Sequence, residues 1–246
     1  MRPVDAHCHI DFDQYDEDRE QVIEECKEKL KFIVNAGSSL ENNKEVLNLA
    51  EKHPEFIIPN LGLHPTYTDS FDQLEEIKEQ IKEKRPPAIG EIGLDHHHVS
   101  ENQMRKKQEK IFREMLELAE DMNLPVVLHT RDAERKSVDI VKEYSIPEVM
   151  LHCFNGKPEL AAEAVENGMK IGITTQVLYS TRVQNIVKAL NLEDMLLETD
   201  SPFLYRGQRN SPVNVIESAE KIAEIKDCTK EEVFEATSKN AEKVFK

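Results

Sequence analysis

The sequence predicts an α/β protein of the (β/α)8 (TIM) barrel class, on three observations. Short apolar runs of β type alternate eight times with longer, highly charged stretches of helical period. The 246 residues are ample for eight such units, since barrels of this class typically need roughly 250 residues. Neither a GxGxxG fingerprint after the first strand nor a GxxxxGK[ST] loop occurs, which argues against the dinucleotide and P-loop classes. A doubly wound open sheet also alternates strand and helix, but rarely needs eight units in one chain of this length.

The first apolar run, Pro3–His9, precedes a helical stretch Glu17–Leu30. Strand candidates then follow at Lys31–Ala36, Phe56–Gly62, Ala88–Leu94, Pro125–Thr130, Glu148–Phe154, Met169–Thr174 and Asp194–Thr199. The intervening helices are expected over Leu40–Lys52, Gln73–Lys84, Glu101–Met122, Ala133–Tyr144, Pro158–Asn167 and Arg182–Leu190. In the fourth helix Ile111, Met115, Leu118 and Met122 recur at helical spacing with charges between them. Gly168 after Asn167 marks a helix end. Two more helices follow the eighth strand. Ser211-Pro212 reads as N-cap and first-turn proline of one, and Thr229 with Glu232 as the capping box of the other. No repeat, low-complexity tract or linker interrupts the pattern, so residues 1–246 are expected to form a single barrel.

Composition narrows the setting. No stretch approaches the roughly 18–20 apolar residues of a membrane span, and the opening MRPVDAHCHIDFDQ lacks the apolar region of a signal peptide. A cytoplasmic monomer with no membrane association is the expectation. Cys8, Cys26, Cys153 and Cys228 are far apart and form no CxxC pair, which disfavours a disulfide framework or a thiolate zinc site. Cys8 and Cys153 each adjoin a histidine, and strand alternation predicts that both thiols pack against the outer helices. The net charge of −16 disfavours a broad electrostatic footprint for duplex nucleic acid. It leaves a phosphate substrate open, because bound divalent ions reverse the local sign.

Chemistry is concentrated at the strand ends. His7 and His9, two residues apart on a strand, project to one face about 6–7 Å apart, within reach of one metal ion. Alone, such a pair reads as well as a hydrogen-bonded structural feature. Glu91 in AIGEIGLD, His129 ending PVVLHT, His152 near the end of EVMLHC and Asp200 closing DMLLETD add four metal-capable side chains. In a barrel those strand ends converge on one mouth. Burying so many ionisable groups without a shared counter-charge would be costly. Four imidazoles and two carboxylates exceed one tetrahedral site and suit two ions about 3.5–4 Å apart that activate water and polarise the bond being cleaved. The economical split gives His7, His9 and Asp200 to one ion and His129 and His152 to the other, with Glu91 bridging. Mixed imidazole and carboxylate ligands suit Zn²⁺, Mn²⁺ or Ni²⁺, or Mg²⁺ under cellular availability.

These motifs resemble the TatD family of metal-dependent deoxyribonucleases, within the amidohydrolase-like barrels. The matching pieces are DAHCH (5–9), GLHP (62–65), GEIGLD (90–95), LPVVLHTRDA (124–133), LHCFNGKPE (151–159), LLETDSP (196–202), RNSP (209–212) and NAEKVF (240–245). They span the chain in the family's order, and GEIGLD with ETDSP is the most specific element. The resemblance places the family's metal ligands on the same six residues. It further implies Asp200 as general base, His64 beside the substrate phosphoryl group and Arg131 as a charge-assisted contact to it. Arg209 either lines the entrance or is a solvated loop cation. The chain departs from the family at His96-His97-His98, expected as a solvated loop, and at ITTQVLYSTR (173–182). Both segments are βα loops, where substrate choice resides. His53, beside Pro54, is expected to have no catalytic role.

The implied activity is that of a nuclease of DNA repair or degradation: phosphodiester hydrolysis, exonucleolytic on single-stranded DNA or short nucleic-acid ends, with two divalent metal ions (Zn, Mn, Mg or Ni). Related barrels also hydrolyse amides, lactones and esters, so an esterase or amidohydrolase acting on a small substrate or an aminoacyl-tRNA ester is the alternative. A non-catalytic metal-binding barrel is a third, against which the complete ligand set counts. Glu91, where many amidohydrolases use a modified lysine, favours the first reading. Few basic residues near the substrate would make binding only shallowly salt-dependent.

Overall fold

The computed structural model describes residues 2–246; of the expected domain 1–246, residue 1 lies outside the described residues. Among the described residues eight strands form one parallel sheet in sequential order: β1 Asp5–Cys8, β2 Ile33–Ala36, β3 Ile57–Leu61, β4 Ala88–Gly93, β5 Val126–His129, β6 Val149–Leu151, β7 Lys170–Ile173 and β8 Met195–Leu197. Helices α1 Arg19–Lys29, α2 Leu40–Lys52, α3 Leu74–Lys84, α4 Asn102–Met122, α5 Glu134–Val141, α6 Pro158–Glu166 and α7 Thr181–Ala189 each follow one strand. Helices α8 Val215–Lys226 and α9 Lys230–Phe245 follow β8. The seam between β8 and β1 is closed by backbone bonds from His9 N–H to Ser201 O (2.8 Å) and from Asp200 N–H to His7 O (3.0 Å). Below them the Asp5 carboxylate accepts from Thr199 N–H (2.9 Å) and Thr199 Oγ1–H (2.6 Å). The fold is the expected (β/α)8 barrel.

Two apolar clusters divide the core. The larger lies between sheet and helices, where Ile33, Ile57, Ile89, Leu128, Leu151, Ile171 and Leu197 meet the helical faces. The smaller holds Ala6, Val34, Ala88, Val127, Met150 and Leu196, inner-face partners of the strands, together with Ala241, Val244 and Phe245 of α9. The last turn of α9 thus seals the barrel end opposite the strand C-termini.

Two strands break the period-2 alternation, and both breaks aim site residues inward. The register of β1 on β2 shifts between Asp5 and Cys8, and that of β4 on β5 between Ile89 and Ile92. Before the first shift Ala6 belongs to the inner cluster; after it Cys8 belongs to the outer one, and His7 and His9 turn into the barrel. Ile89 and Ile92 both pack in the outer cluster, so the residue inserted between them sends Glu91 inward. Bulges that re-aim a side chain beside an active site are a recurrent device.

Local signals held with one correction. Thr229 and Glu232 form the expected capping box, and Gly168 after α6 has φ +84°. Ser211 makes no side-chain cap: Pro212 opens a 3-10 turn, Pro212–Asn214, and α8 begins only at Val215. The Ser211 backbone N–H is instead taken by Asn210 Oδ1 (2.9 Å), in a network that fixes the loop rather than the helix. No helix of the described residues is long and apolar enough to cross a membrane.

Because Phe245 is 2% exposed inside the barrel end, Phe245→Ala should lower the unfolding free energy by about 3–5 kcal/mol in chemical denaturation. A loss well under 1 kcal/mol would mean that α9 does not support the inner core.

Candidate metal centre

At the C-terminal mouth of the barrel the structure brings together all six sequence-predicted ligands, and Glu91 is the hub. Its carboxylate is 2% exposed. Oε2 lies 3.3 Å from His7 Nε2 and 3.9 Å from His9 Nε2. Oε1 lies 2.7 Å from His129 Nδ1, 3.3 Å from His64 Nε2 and 3.8 Å from His152 Nε2. The two oxygens therefore face two separate sets of imidazoles. Asp200 Oδ1 adds contacts of 3.4 Å to His9, 3.6 Å to His152 and 3.8 Å to His7. Asp200 has φ 56°, and this left-handed residue just beyond β8 turns its side chain over the mouth.

The donor set fits divalent ions. The outward ring nitrogens of three histidines are held by acceptors: His9 Nδ1 donates to Ala36 O (3.0 Å), His152 Nδ1 to Glu198 Oε2 (2.6 Å) and His129 Nε2 to Asp95 Oδ2 (2.9 Å). Each bond holds its ring so that the other nitrogen faces Glu91 or Asp200, where it can ligate a metal once its proton is lost. His7 Nε2 and His9 Nε2 also face one another at 3.2 Å, an arrangement that a shared cation satisfies. The thiol of Cys153 joins His152 and Asp200 in a further cluster of ligand-type atoms.

The metal-free electrostatics report the same demand. Burial opposes charge on His152, yet the carboxylates of Glu198, Glu91 and Asp200 outweigh it and lift the imidazole to about 10. For His129 burial is likewise outweighed, by hydrogen bonds to Asp95 and Glu91, and its value is about 9. Burial and the neighbouring His152 push His7 down, and burial also depresses His64. Burial would raise Glu91, but the surrounding imidazoles hold it well below the usual carboxylate range. Protons on two histidines thus stand in for cationic charge.

The other two predicted catalytic residues, His64 and Arg131, line a cavity of about 620 Å³ above the centre. His64 accepts from Thr66 N–H at Nδ1 (3.2 Å), so Nε2 carries the proton and points at the centre. Arg131 is an exposed cation on the cavity wall. Arg209 is committed elsewhere: it forms a two-pronged pair with Asp18 (2.8 and 2.5 Å) and covers the Tyr15 ring. His53 sits at the end of α2, 3.2 Å from Glu20 and remote from the cavity lining.

Three features escaped the sequence reading. Glu198 is fully buried and binds both His152 Nδ1 and Cys153 N–H (2.7 Å). It lies two residues before Asp200, so the same-face rule applied to His7 and His9 would have found it. A Cβ at Gly172 would collide with that carboxylate, so glycine there makes its room. Asp95, also fully buried, holds His129 and draws His98 Nδ1 to 2.9 Å; His98 thereby lines the cavity while staying exposed in the expected solvated loop. Cys8 packs outward as expected, donating to Val34 O, but Cys153 does not. With φ 46°, it bends off the strand line and lines the cavity, since period-2 alternation ends where β6 ends.

Comparison with known proteins gives this geometry a family. Residues 4–246 match the family described as TatD related DNase. An uncharacterized metal-dependent hydrolase of Methanocaldococcus jannaschii is 40% identical, over 100% of this chain and 98% of that protein. The human deoxyribonuclease TATDN3 is 33% identical, over 98% of this chain and 94% of that protein. Among solved structures, the TatD homologue YjjV of Escherichia coli K12 superposes with a TM-score of 0.88 at 29% identity, covering 99% of this chain and 98% of that one. The chain belongs to the TatD family and is a metal-dependent hydrolase.

Proposed function

We propose that the chain is a deoxyribonuclease that hydrolyses phosphodiester bonds exonucleolytically in single-stranded DNA, using two divalent ions. The observation that carries the two-ion reading is the carboxylate of Glu91, whose oxygens face separate imidazole sets. His7, His9 and Asp200 would hold one ion, His129 and His152 the other, and Glu91 both. The bound ions supply Lewis acidity, lowering the pKa of water and neutralising charge on the phosphoryl group.

The protein's own groups divide the remaining work. Asp200 is 16% exposed against 2% for Glu91, so it is the more open of the two ligand carboxylates that line the cavity. It is placed to orient the attacking water and take its proton. His64, neutral and protonated at Nε2, offers a donor to a phosphoryl oxygen, and Arg131, also lining the cavity, offers a charge-assisted contact. Glu198 and Asp95 hold His152 and His129 in the tautomers that direct a lone pair at the centre. The human relative named as a deoxyribonuclease supports the choice of DNA over other esters.

Protein stripped of metal and reloaded with Mg²⁺, Mn²⁺, Zn²⁺ or Ni²⁺ should shorten single-stranded oligonucleotides from an end, as read on denaturing gels. Asp200→Asn should reduce the rate by about a hundredfold or more; full activity in this variant would remove Asp200 from the chemistry. Glu198→Gln should weaken metal affinity about 10–100-fold without unfolding the chain, measured by competition with a chromogenic chelator. Metal loading should also release protons. His129 and His152 are protonated at pH 7 because their values are raised to about 9 and about 10. Loading at pH 7 should therefore expel at least two protons, His9 being raised as well, and the yield should fall as pH rises through 9 to 10. Calorimetry in buffers of different ionisation enthalpy gives the count; a pH-independent yield would contradict the charge balance described above.

A further inference from the structure

Three large apolar side chains stand well exposed among the described residues: Tyr67 at 40%, Tyr179 at 48% and Phe203 at 44%. Isolated exposed rings need no explanation, but these three share one place. Tyr67 and Phe203 line the cavity above the metal centre. Tyr179 joins them through its hydroxyl, which donates to the carbonyl of Leu204, another lining residue (3.1 Å). They come from three different loops, after β3, β7 and β8, so no single helix or strand pattern places them together.

The rings continue inward to the centre. Phe203 meets Phe12 edge-on at 6.0 Å between centroids, and Phe12 stacks on His9 at 4.6 Å with 22° between planes. Across the cavity Tyr67 meets His64 edge-on at 5.9 Å. A molecule leaving the centre over the rim therefore passes ring faces and edges before it reaches bulk water. Among the described residues Arg131 is the one Lys or Arg lining the cavity, while at its rim Arg182 donates to Asn155 O (3.1 Å) and Arg206 lies near Tyr179. With a chain charge of −16 there is little to grip a run of phosphates.

We propose that Phe203 and Tyr179, with Tyr67 on the facing wall, are stacking platforms for unpaired nucleobases flanking the scissile phosphodiester. This rests on the phosphodiesterase reading and deepens it by assigning the residues that select the substrate. Base faces are apolar and every base has one, so rings in this position accept any sequence but require that the bases be unstacked. Paired bases in a duplex keep their faces covered by one another and offer these rings nothing. Recognition through faces rather than phosphates also reconciles a nucleic-acid substrate with an acidic protein. Tyr179 lies in ITTQVLYSTR, so the loop after β7 supplies that platform.

The test measures affinity of the metal-loaded protein for short phosphorothioate oligonucleotides, which resist hydrolysis. One set carries natural bases, the other the same backbone with tetrahydrofuran spacers in place of nucleosides. Wild-type protein should bind the base-bearing strand more tightly, and 2-aminopurine next to the terminal phosphodiester should be quenched on binding. Phe203→Ala and Tyr179→Ala should each lose roughly ten- to hundredfold in affinity for the base-bearing strand, with no matching loss for the spacer strand. Phe203→Trp should restore binding. Equal wild-type affinity for the two strands, or an equal loss on both in the alanine variants, would overturn the proposal while leaving phosphodiester hydrolysis intact. Failure of the loaded wild-type enzyme to cleave any unmodified DNA or bis-p-nitrophenyl phosphate would instead overturn the underlying reading, and this inference with it.

Discussion

A buried carboxylate surrounded by imidazoles is the constraint on which the rest of the mouth depends. Glu91 is charged in a nearly dry setting, and a charge so placed is tolerable only with close positive partners. Four strands and the segments just beyond them deliver those partners: His7 and His9 on or beside β1, His129 on β5, His152 after β6 and His64 after β3. Each imidazole in turn needs its far nitrogen satisfied. Ala36 O, Glu198 and Asp95 meet that need for His9, His152 and His129. The network thus reaches outward from one carboxylate on β4 to β1, β2, β3, β5, β6 and β8 or the segments just beyond them.

The barrel supplies what such a network requires, a rigid ring of backbone with one open end. Its inner cluster, sealed below by α9, leaves the upper end for polar side chains. The seam at β1 and β8 carries an extra tie, Asp5 to Thr199, one residue before Asp200. That carboxylate is fully buried, and burial raises its pKa well above the usual range, so the tie is made in surroundings that disfavour charge. The barrel is therefore closed where His7, His9 and Asp200 must stay in register.

Sequence periodicity made the strands legible because each is a short apolar run between charged helices, and the strand candidates overlap the observed strands throughout. The candidate ligands were legible for a related reason: ionisable residues at the ends of otherwise apolar strands have no cheap structural alternative. What periodicity does not carry is the point at which it fails. Counting alternate positions from Ala88 sends Glu91 outward, and only the extra residue between Ile89 and Ile92 returns it to the centre. Cys153 was misplaced for the same reason, since its left-handed backbone ends the alternation one residue after His152. Glu198 and Asp95 went unassigned because they contact histidines rather than a ligand, and that partnership spans 46 and 34 residues of chain.

These failures and successes separate two kinds of information. Strand ends hold the chemistry, and their residues are constrained by one another through distances of a few ångströms. The loops after β3, β4, β7 and β8 are constrained mainly by what must pass between them. In this chain those loops bring three exposed rings and the carboxylate-bound His98 to a cavity whose lining, among the described residues, includes one arginine. An acidic protein cannot recruit a polyanion by its overall field, because the long-range term is repulsive. Selectivity must then come from contacts made at short range after encounter. On the proposed reading, ring faces and the Arg131 guanidinium provide such contacts, and they would favour strands that expose their bases over strands that expose only phosphates.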